Sequence, residues 1–431
     1  MADPIDVRIE KLVYGGEGLA HHEGHTVFAP FVLPDESVSI EPMERRKKFI
    51  RGRVAEIKTP SADRAVAACP YFGVCGGCNY QHIPYELQLR YKADILRETL
   101  SRLGRLQWEG PILPHTSPPF GYRNRVQWKI ARDQGGSAEI GYFQAGSQKL
   151  CAIRQCPIAS PRLNEALGAI VNLLQAGKLP AEFREIEAFS DQDDNRLLLN
   201  VALDAIHGAA AEIATLFRSA FPLADTILIH DRRTDGFELS GPGHINYRVG
   251  EYNYRIGHLS FFQVNRFLLD DLVRMVIGDA RGKLALDLFA GVGLFSVPLA
   301  NRFERLIAVE SNAAATRDLE ANLQASGAAS PNLRNTTVEA FLEHWHERPD
   351  IVVLDPPRTG VAARALARLL KIAPREIVYL SCDPATLARD LAILVGDAQN
   401  PQGYRISELH LVDIFPQTYH IEALVRLSRR A

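Results

Sequence analysis

The chain has 431 residues, too many for one ordinary core; at roughly 150 residues per domain it divides into two or three. Hydrophobic residues make up 46% and charged residues 23%, a balance that excludes a disordered, collagen-like or disulfide-scaffold chain. With a net charge of −2, any attraction for a polyanion must come from local clustering. The longest apolar stretches, such as Ile351–Leu354, fall far short of the run of about 20 residues that spans a bilayer, so no membrane segment is expected. The start, Met1-Ala2-Asp3-Pro4, lacks the basic region and apolar segment of a secretory signal, and a cytoplasmic location is expected.

The first 58 residues carry short β-rich segments at Val7–Leu12, Val27–Phe31, Ser37–Glu41 and Ile50–Ile57. Gly15-Gly16, His22-Glu23-Gly24 and Pro34-Asp35-Glu36 supply turn chemistry between them. So many strands in so small a unit predict a closed or nearly closed barrel of the oligonucleotide-binding kind. Within it, Glu44–Arg53 holds six cations in ten residues, either a phosphate-contacting stripe or a solvated strand face. Thr59–Asp63 reads as the linker out.

Five of the six cysteines then fall into two groups, Cys69, Cys75 and Cys78, followed by Cys151 and Cys156. In a reducing compartment such grouping indicates metal rather than disulfides. Thiolates suit zinc and iron–sulphur clusters alike, and by chemistry either Cys151 or Cys156 can be the fourth ligand. The spacing of five and two differs from the three and two of radical S-adenosylmethionine (SAM) enzymes. A cluster with four protein ligands has no open iron, which assigns it a structural or RNA-orienting role. From Pro84 to Leu103, apolar residues at helical spacing predict a helix closed by Gly104. Residues 120–260 mix strands (Arg125–Ala131, Glu139–Phe143, Arg196–Leu203) with the helix Arg162–Ala176, an α+β pattern. Arg123-Asn124-Arg125 stands among Phe120, Tyr122 and Trp128, an interleaving that single-strand binders use, although core packing is the simpler account of each ring.

Beyond residue 259, strands at Leu284–Phe289, Leu306–Val309, Ile351–Leu354 and Ile377–Leu380 alternate with helical patterns. That is a doubly wound parallel sheet, with Ile406–Asp413 and Ile421–Leu427 as an antiparallel hairpin at its edge. In Asp287–Phe295, Gly291 and Gly293 let the first strand-to-helix turn approach a ligand. Position 296 is serine, not the third glycine of a dinucleotide fingerprint, and Glu310 closes the second strand where a carboxylate can take both ribose hydroxyls. Together these predict a SAM-binding domain. Asp355-Pro356-Pro357-Arg358 follows the Ile351–Leu354 strand and Ser381-Cys382-Asp383-Pro384 the Ile377–Leu380 strand. With Asp383 as N-cap and Pro384 first in the helix, Cys382 lies where the helix dipole favours a thiolate. A thiolate beside SAM suits a pyrimidine: its addition to C6 makes C5 nucleophilic, and a base such as Glu422 must then remove the C5 proton.

These motifs resemble the RNA uracil-C5 methyltransferase family, in its branch with an N-terminal TRAM domain and an iron–sulphur cluster. The likeness runs nearly end to end: Ile9–Ile57 to TRAM, Cys69-x5-Cys75-x2-Cys78 with Cys156-Pro157 to the cluster motif. In the catalytic region it includes Ser260-Phe261-Phe262-Gln263-Val264-Asn265, Asp355–Arg358, Ser381–Pro384 and His420-x-Glu422. The resemblance implies Cys382 as nucleophile and Glu422 as base, and SAM contacts from Gln263, Phe289, Glu310 and Asp355. Glu339 is the match for the residue that meets the adenine, and Leu294 stands where the family often has Asn. It also implies a [4Fe-4S] cluster on Cys69, Cys75, Cys78 and Cys156, and an RNA partner, 23S rRNA being favoured over tRNA. The expected organisation is 1–58, a TRAM OB-like barrel; 59–258, a central α+β domain; and 259–431, a Rossmann-like SAM domain on which the helical segment near 84–119 packs. A monomer is expected. Competing readings are cytosine-C5 methylation of RNA and a non-catalytic ribosome-associated RNA binder.

Overall fold

The computed structural model describes residues 3–133, 135–205, 210–327, 331–396 and 403–430; Met1 and Ala2 of the acidic start lie outside them. Six strands open the chain: β1 (Ile5–Arg8), β2 (Lys11–Val13), β3 (Glu17–His22), β4 (His25–Pro30), β5 (Ser37–Arg45) and β6 (Phe49–Thr59). They form one sheet in the order β1-β5-β6-β4-β3-β2, around a core of residues such as Ile9, Val27, Ile40 and Ile50. The expectation of a closed or nearly closed barrel is corrected here to an open one. β1 and β2 are the two edges of the sheet and do not pair with each other, so the unit is a half-barrel. Strand β3, which the sequence pattern missed, alternates glycine, alanine and histidine and has little apolar signal.

After the cysteine segment comes α1 (Tyr85–Gly104), then β7 (Leu113–His115), a short strand inside what reads as a proline-rich connection. The central region contributes β8 (Arg125–Arg132), β9 (Ala138–Phe143), β10 (Leu150–Ala152), α2 (Pro161–Gln175), β11 (Phe183–Ser190), β12 (Leu197–Leu203), α3 (Ala210–Ala220), β13 (Ala224–Asp231) and β14 (Phe237–Ser240). Its seven strands run β10-β9-β8-β11-β12-β13-β14, and α2 and α3 bury one face with Leu163, Leu167, Ile170 and Phe217. Ser160 caps α2 by accepting the Leu163 amide, and Pro161 follows at the first helical position. Tyr122 and Trp128 are buried in this architecture, so the core reading of those rings holds; Phe120 stays partly exposed.

A hairpin, β15 (His244–Val249) and β16 (Tyr252–Gly257), packs with α4 (Leu269–Ile277) into one core with the last region. There follow β17 (Gly282–Leu288), α5 (Ser296–Ala300), β18 (Phe303–Glu310), α6 (Ala313–Ala325), β19 (Pro331–Asn335), α7 (Val338–Glu343), β20 (Ile351–Leu354), α8 (Ala363–Ile372), β21 (Glu376–Ser381), α9 (Pro384–Val395), β22 (Tyr404–Val412) and β23 (Ala423–Arg429). The sheet order is β19-β18-β17-β20-β21-β23-β22-β7, parallel from β19 to β21 and antiparallel at β23 and β22. Along β17, Leu284, Leu286 and Leu288 serve one core while Ala285 serves the other, as a strand buried on both faces requires. The order reverses between β17 and β20, and ligands in such sheets bind at the carboxyl ends flanking that point.

Helix α1 covers the face shared with α9, and its last residue, Gly104, lies so close to Ala388 that a Cβ there would sit 2.8 Å from the carbonyl oxygen. Two buried contacts fix it to the chain's C-terminal part. Lys92 Nζ donates to Asp413 Oδ1 at 2.6 Å and to the Phe415 carbonyl at 3.0 Å. Gln88 exchanges hydrogen bonds with Gln417, side chain to side chain at 3.0 Å and side chain to backbone at 2.9 Å. Among the described residues no helix is long and apolar enough to cross a membrane. Removing one partner of a buried ion pair leaves the other charge uncompensated, at about 3–5 kcal/mol. Lys92→Met is therefore expected to lower the unfolding midpoint well below that of an exposed Lys58→Met control, measured by thermal melts.

Candidate active site

The first loop after β17 is built for close approach. Phe289 takes φ = 69°, a left-handed backbone unusual for an aromatic residue, and Gly291 and Gly293 follow at 55° and 93°. A Cβ on Gly293 would lie 2.6 Å from Leu319, whereas one on Gly291 would meet nothing within 4 Å, so the turn opens on a cradle. Glu310 at the end of β18 accepts the Gly291 amide at 2.9 Å and the Asn312 amide at 2.6 Å. Its carboxylate is thereby aimed, with lone pairs to spare. Asp287 is buried on β17, accepts from Ser296 through one oxygen, and has no partner for the other.

The carboxyls here oppose one another. Burial, with Glu310 nearby, pushes Asp287 up to about 7. Burial and then Asp287 push Asp355, on the loop after β20, up to about 7 as well. An acid-rich cleft of this kind is short of a cation, and SAM, with an ammonium and a sulfonium, fits that need. Gln263 is buried within Ser260–Asn265, a segment anchored from three sides. Ser260 donates to Asp318 at 2.6 Å, Asn265 donates to Ser117 at 2.9 Å, and the Asn124 amide donates to the Val264 carbonyl at 3.0 Å. Asp318 and Asn322 of α6 also take the backbone amides of Gly257 and Arg255, and Asn322 donates to the Val292 carbonyl. Sequence reasoning missed both, for two polar residues on an ordinary helix carry no signal. Leu294 packs in the core and its carbonyl accepts the Tyr254 hydroxyl. Glu339 stands half-exposed in the first turn of α7, capped by Thr337. It is Asn335, at the end of β19, whose amide reaches the Glu310 carbonyl at 3.1 Å.

Cys382, Asp355, Arg358 and Glu422 share one cleft. Asp383 caps α9 as expected, accepting the Ala385 and Thr386 amides. The expectation that the helix N-terminus favours a thiolate is corrected. Burial first, then Glu422, hold the Cys382 thiol up at about 11, with only Arg358 pulling strongly the other way. Glu422 immediately precedes β23 and is buried; burial and Asp355 raise its carboxyl well above the usual range. Asp390 of α9, unforeseen, fastens the proline loop by accepting the Val361 amide and the Tyr379 hydroxyl at 2.7 Å each. Tyr14, from the turn between β2 and β3, reaches across from the half-barrel. Its hydroxyl donates to the Cys382 carbonyl at 3.4 Å and its ring meets Tyr419 edge-on at 5.7 Å.

Cys69, Cys75, Cys78 and Cys156 line a single cavity of about 390 Å³, together with Arg358 and His420 from the catalytic side. Cys151 is instead packed in the central core. Burial, reinforced by the neighbouring thiols, holds Cys75 up at about 11; burial, again reinforced by those thiols, holds Cys78 at about 12. Among the described residues no three His, Cys, Asp or Glu side chains converge as a single metal ion requires. The thiols surround a common space without closing on one point. All six cations of the basic run are exposed; Arg46, Arg51 and Arg53 are paired with Glu44, Glu17 and Glu41, and Arg45, Lys47 and Lys48 have no ion pair among the described residues.

This sheet order, glycine cradle and carboxylate set define a SAM-dependent methyltransferase. Residues 84–430 match the tRNA (Uracil-5-)-methyltransferase family, and the chain belongs to the RNA uracil-C5 methyltransferases. It is 33% identical to an uncharacterized RNA methyltransferase of Aquifex aeolicus, over 99% of this chain and 98% of that one. It is 30% identical to 23S rRNA (uracil(1939)-C(5))-methyltransferase RlmD of Alkalilimnicola ehrlichii, over 100% and 97%. The crystal structure of Pyrococcus abyssi tRNA (uracil-54, C5)-methyltransferase with S-adenosyl-L-homocysteine superimposes with a TM-score of 0.78 at 25% identity, covering 98% of this chain and 100% of that one. The protein is a SAM-dependent RNA (uracil-5-)-methyltransferase.

The raised carboxyls make a pH prediction. A carboxyl near 3.8 unfolded and about 7 folded binds more protons in the folded state, so its contribution to stability is present below about 4 and lost as pH rises to 7. Over the same window ionisation makes the cleft negative and favours a cation. Calorimetry should therefore find SAM gaining affinity over the uncharged-sulfur product homocysteine form between pH 6 and 8, and Asp355→Asn should flatten that gain.

Proposed function

We propose that the protein methylates C5 of a uridine in 23S rRNA, with Cys382 as nucleophile and Glu422 as base. The observation that carries the mechanism is that a buried carboxyl with raised proton affinity stands close enough to the Cys382 thiol to hold its proton in place. A thiol at about 11 is inert at neutral pH, so activation must come from a change in the cleft. Neutralising Asp355 with a positive charge removes one of the influences that hold the thiol up, while Arg358 remains to favour the thiolate. The thiol gives its proton to solvent, the Cys382 thiolate bonds to C6, and the π electrons of the C5–C6 double bond make C5 the nucleophile. Bound SAM supplies the methyl group to that carbon. Glu422, ionised, takes the C5 proton; the C6–sulfur bond breaks, and the double bond of 5-methyluridine returns. A carboxyl with a raised pKa is the stronger base for that abstraction. Gln263, Phe289, Glu310, Asp355, Gly291 and Gly293 are the proposed cofactor contacts, with Glu339 or Asn335 at the adenine.

A 5-fluorouridine RNA cannot lose its C5 substituent as a proton and should trap the adduct. Wild type is expected to give a covalent complex that needs SAM, and Cys382→Ala none. Glu422→Gln should accumulate adduct on unmodified RNA, with turnover down by about 10²–10⁴-fold, read on denaturing gels. An adduct formed equally by Cys382→Ala ends the mechanism.

We further propose that Cys69, Cys75, Cys78 and Cys156 hold a [4Fe-4S] cluster. Support comes from four thiols lining one cavity, and from a set of neutral thiols crowded enough to need a cationic core to ionise. Anaerobically purified protein should carry about four irons per chain; Cys156→Ser should lose them and Cys151→Ser keep them. Zinc in their place ends this assignment. Full-length identity near 30% to rRNA enzymes supports the 23S target. The structural likeness to the archaeal tRNA enzyme favours a second reading, tRNA uridine. Mass-spectrometric mapping of 5-methyluridine in 23S rRNA and in tRNA after incubation with the enzyme separates the two.

A further inference from the structure

One face of the central sheet is buried by α2 and α3. The other is the floor of a groove of about 740 Å³, whose far wall is the segment from His258 to Val264. A half-solvated sheet face is the ordinary state of such a sheet, and single exposed apolar side chains on it need no account. This face is different: Phe237, Leu259 and Phe261 are 64%, 62% and 69% exposed around the one groove.

The polar groups of the floor say which ligand the rings serve. Of its arginines, Arg125 pairs with Glu187 at 2.8 Å and Arg123 donates its Nε–H to the Arg125 carbonyl at 3.0 Å, while Glu185, Glu187 and Asp235 bring negative charge to the same groove. A channel for phosphates needs free positive charge, and this one has little. It offers instead π-faces at the rim and amide and carboxylate edges below, including an Asn200 side-chain oxygen that is buried without a donor. Stacking on an aromatic while the base edge meets amides is how single-stranded bases are held. The groove adjoins the cysteine-lined cavity, for Arg123 lines both, and Arg358 of the catalytic cleft borders that same cavity. A volume of this size suits roughly two nucleotides, within the range of small-ligand sites.

We propose that this groove seats the unpaired bases beside the target uridine, with Phe237 as the stacking platform. The inference rests on the placement of the target at Cys382. A base that reaches Cys382 has left its stack, and its neighbours lose a stacking partner at the same step. The groove returns one to them.

The test uses the full-length protein and a fluorescein-labelled RNA loop with one 5-fluorouridine, beside the same RNA with abasic residues flanking the fluorouridine. Abasic flanks keep the phosphates and remove only the bases. Wild type should bind the intact loop about 5- to 100-fold more tightly than the abasic one, the span expected for stacking of one base. Phe237→Ala should lose that preference, bind the abasic RNA as wild type does, and keep SAM affinity; Phe237→Trp should restore it. A preference that survives Phe237→Ala, or an equal loss on both RNAs, overturns the proposal. Failure of the target placement has a separate signature: no covalent adduct with either RNA, whatever the binding shows.

Discussion

The buried pair of Lys92 and Asp413, with the Gln88–Gln417 exchange one turn earlier on α1, is the constraint on which the catalytic geometry rests. Helix α1 follows directly from the segment bearing Cys69, Cys75 and Cys78, while Asp413 and Gln417 open the stretch that ends at Glu422. One helix thus holds two chemically distinct centres in register. Both charges are withdrawn from water, so the pair returns little net stability; its strength lies in specifying a single arrangement, since no other placement of α1 satisfies both ends. Tyr80 and Ile83 give their carbonyls to Gln88, which extends the same fixture to the end of the cysteine segment.

The cleft itself is held in an unfavourable state of charge. Three carboxyls and a thiol lie where each resists ionisation of the next, and only Arg358 offers opposite charge among the influences on Cys382 and Glu422. Such a site stores proton affinity instead of nucleophilicity. On the proposed mechanism it protects the Cys382 sulfur in the resting enzyme and links its activation to the arrival of positive charge.

Much of this was legible in the sequence because the relevant signals are local. The doubly wound pattern, the Gly291-x-Gly293 turn, the Asp383-Pro384 cap and the final antiparallel hairpin each declare themselves within a few residues and stand in the structure, although β7, not the hairpin, forms the edge of the sheet. What escaped depends on long-range placement. Strand β7 has three residues and no pattern of its own; it exists because the edge strand β22 accepts it, His410 opposite Leu113. The half-barrel was overread as closed because strand count cannot reveal whether the first and last edges meet. Asp318, Asn322 and Asp390 support the site from helices whose polar residues look like ordinary surface until their partners are known. The proton affinity of Cys382 was misjudged for the same reason, since a helix dipole is visible in sequence and a neighbouring Glu422 some forty positions on is not.

Tyr14 bears on how the N-terminal unit can be treated as a module. Gly16, at φ = 83°, lets the turn press against Tyr419 so tightly that any Cβ there would lie 3.2 Å from the ring, and Tyr14 closes over the backbone of Cys382. The half-barrel is therefore part of the wall of the chamber around Cys382. Excising it would expose the Cys382 loop to solvent, and a chimera carrying another enzyme's barrel would inherit a seam at the proposed nucleophile.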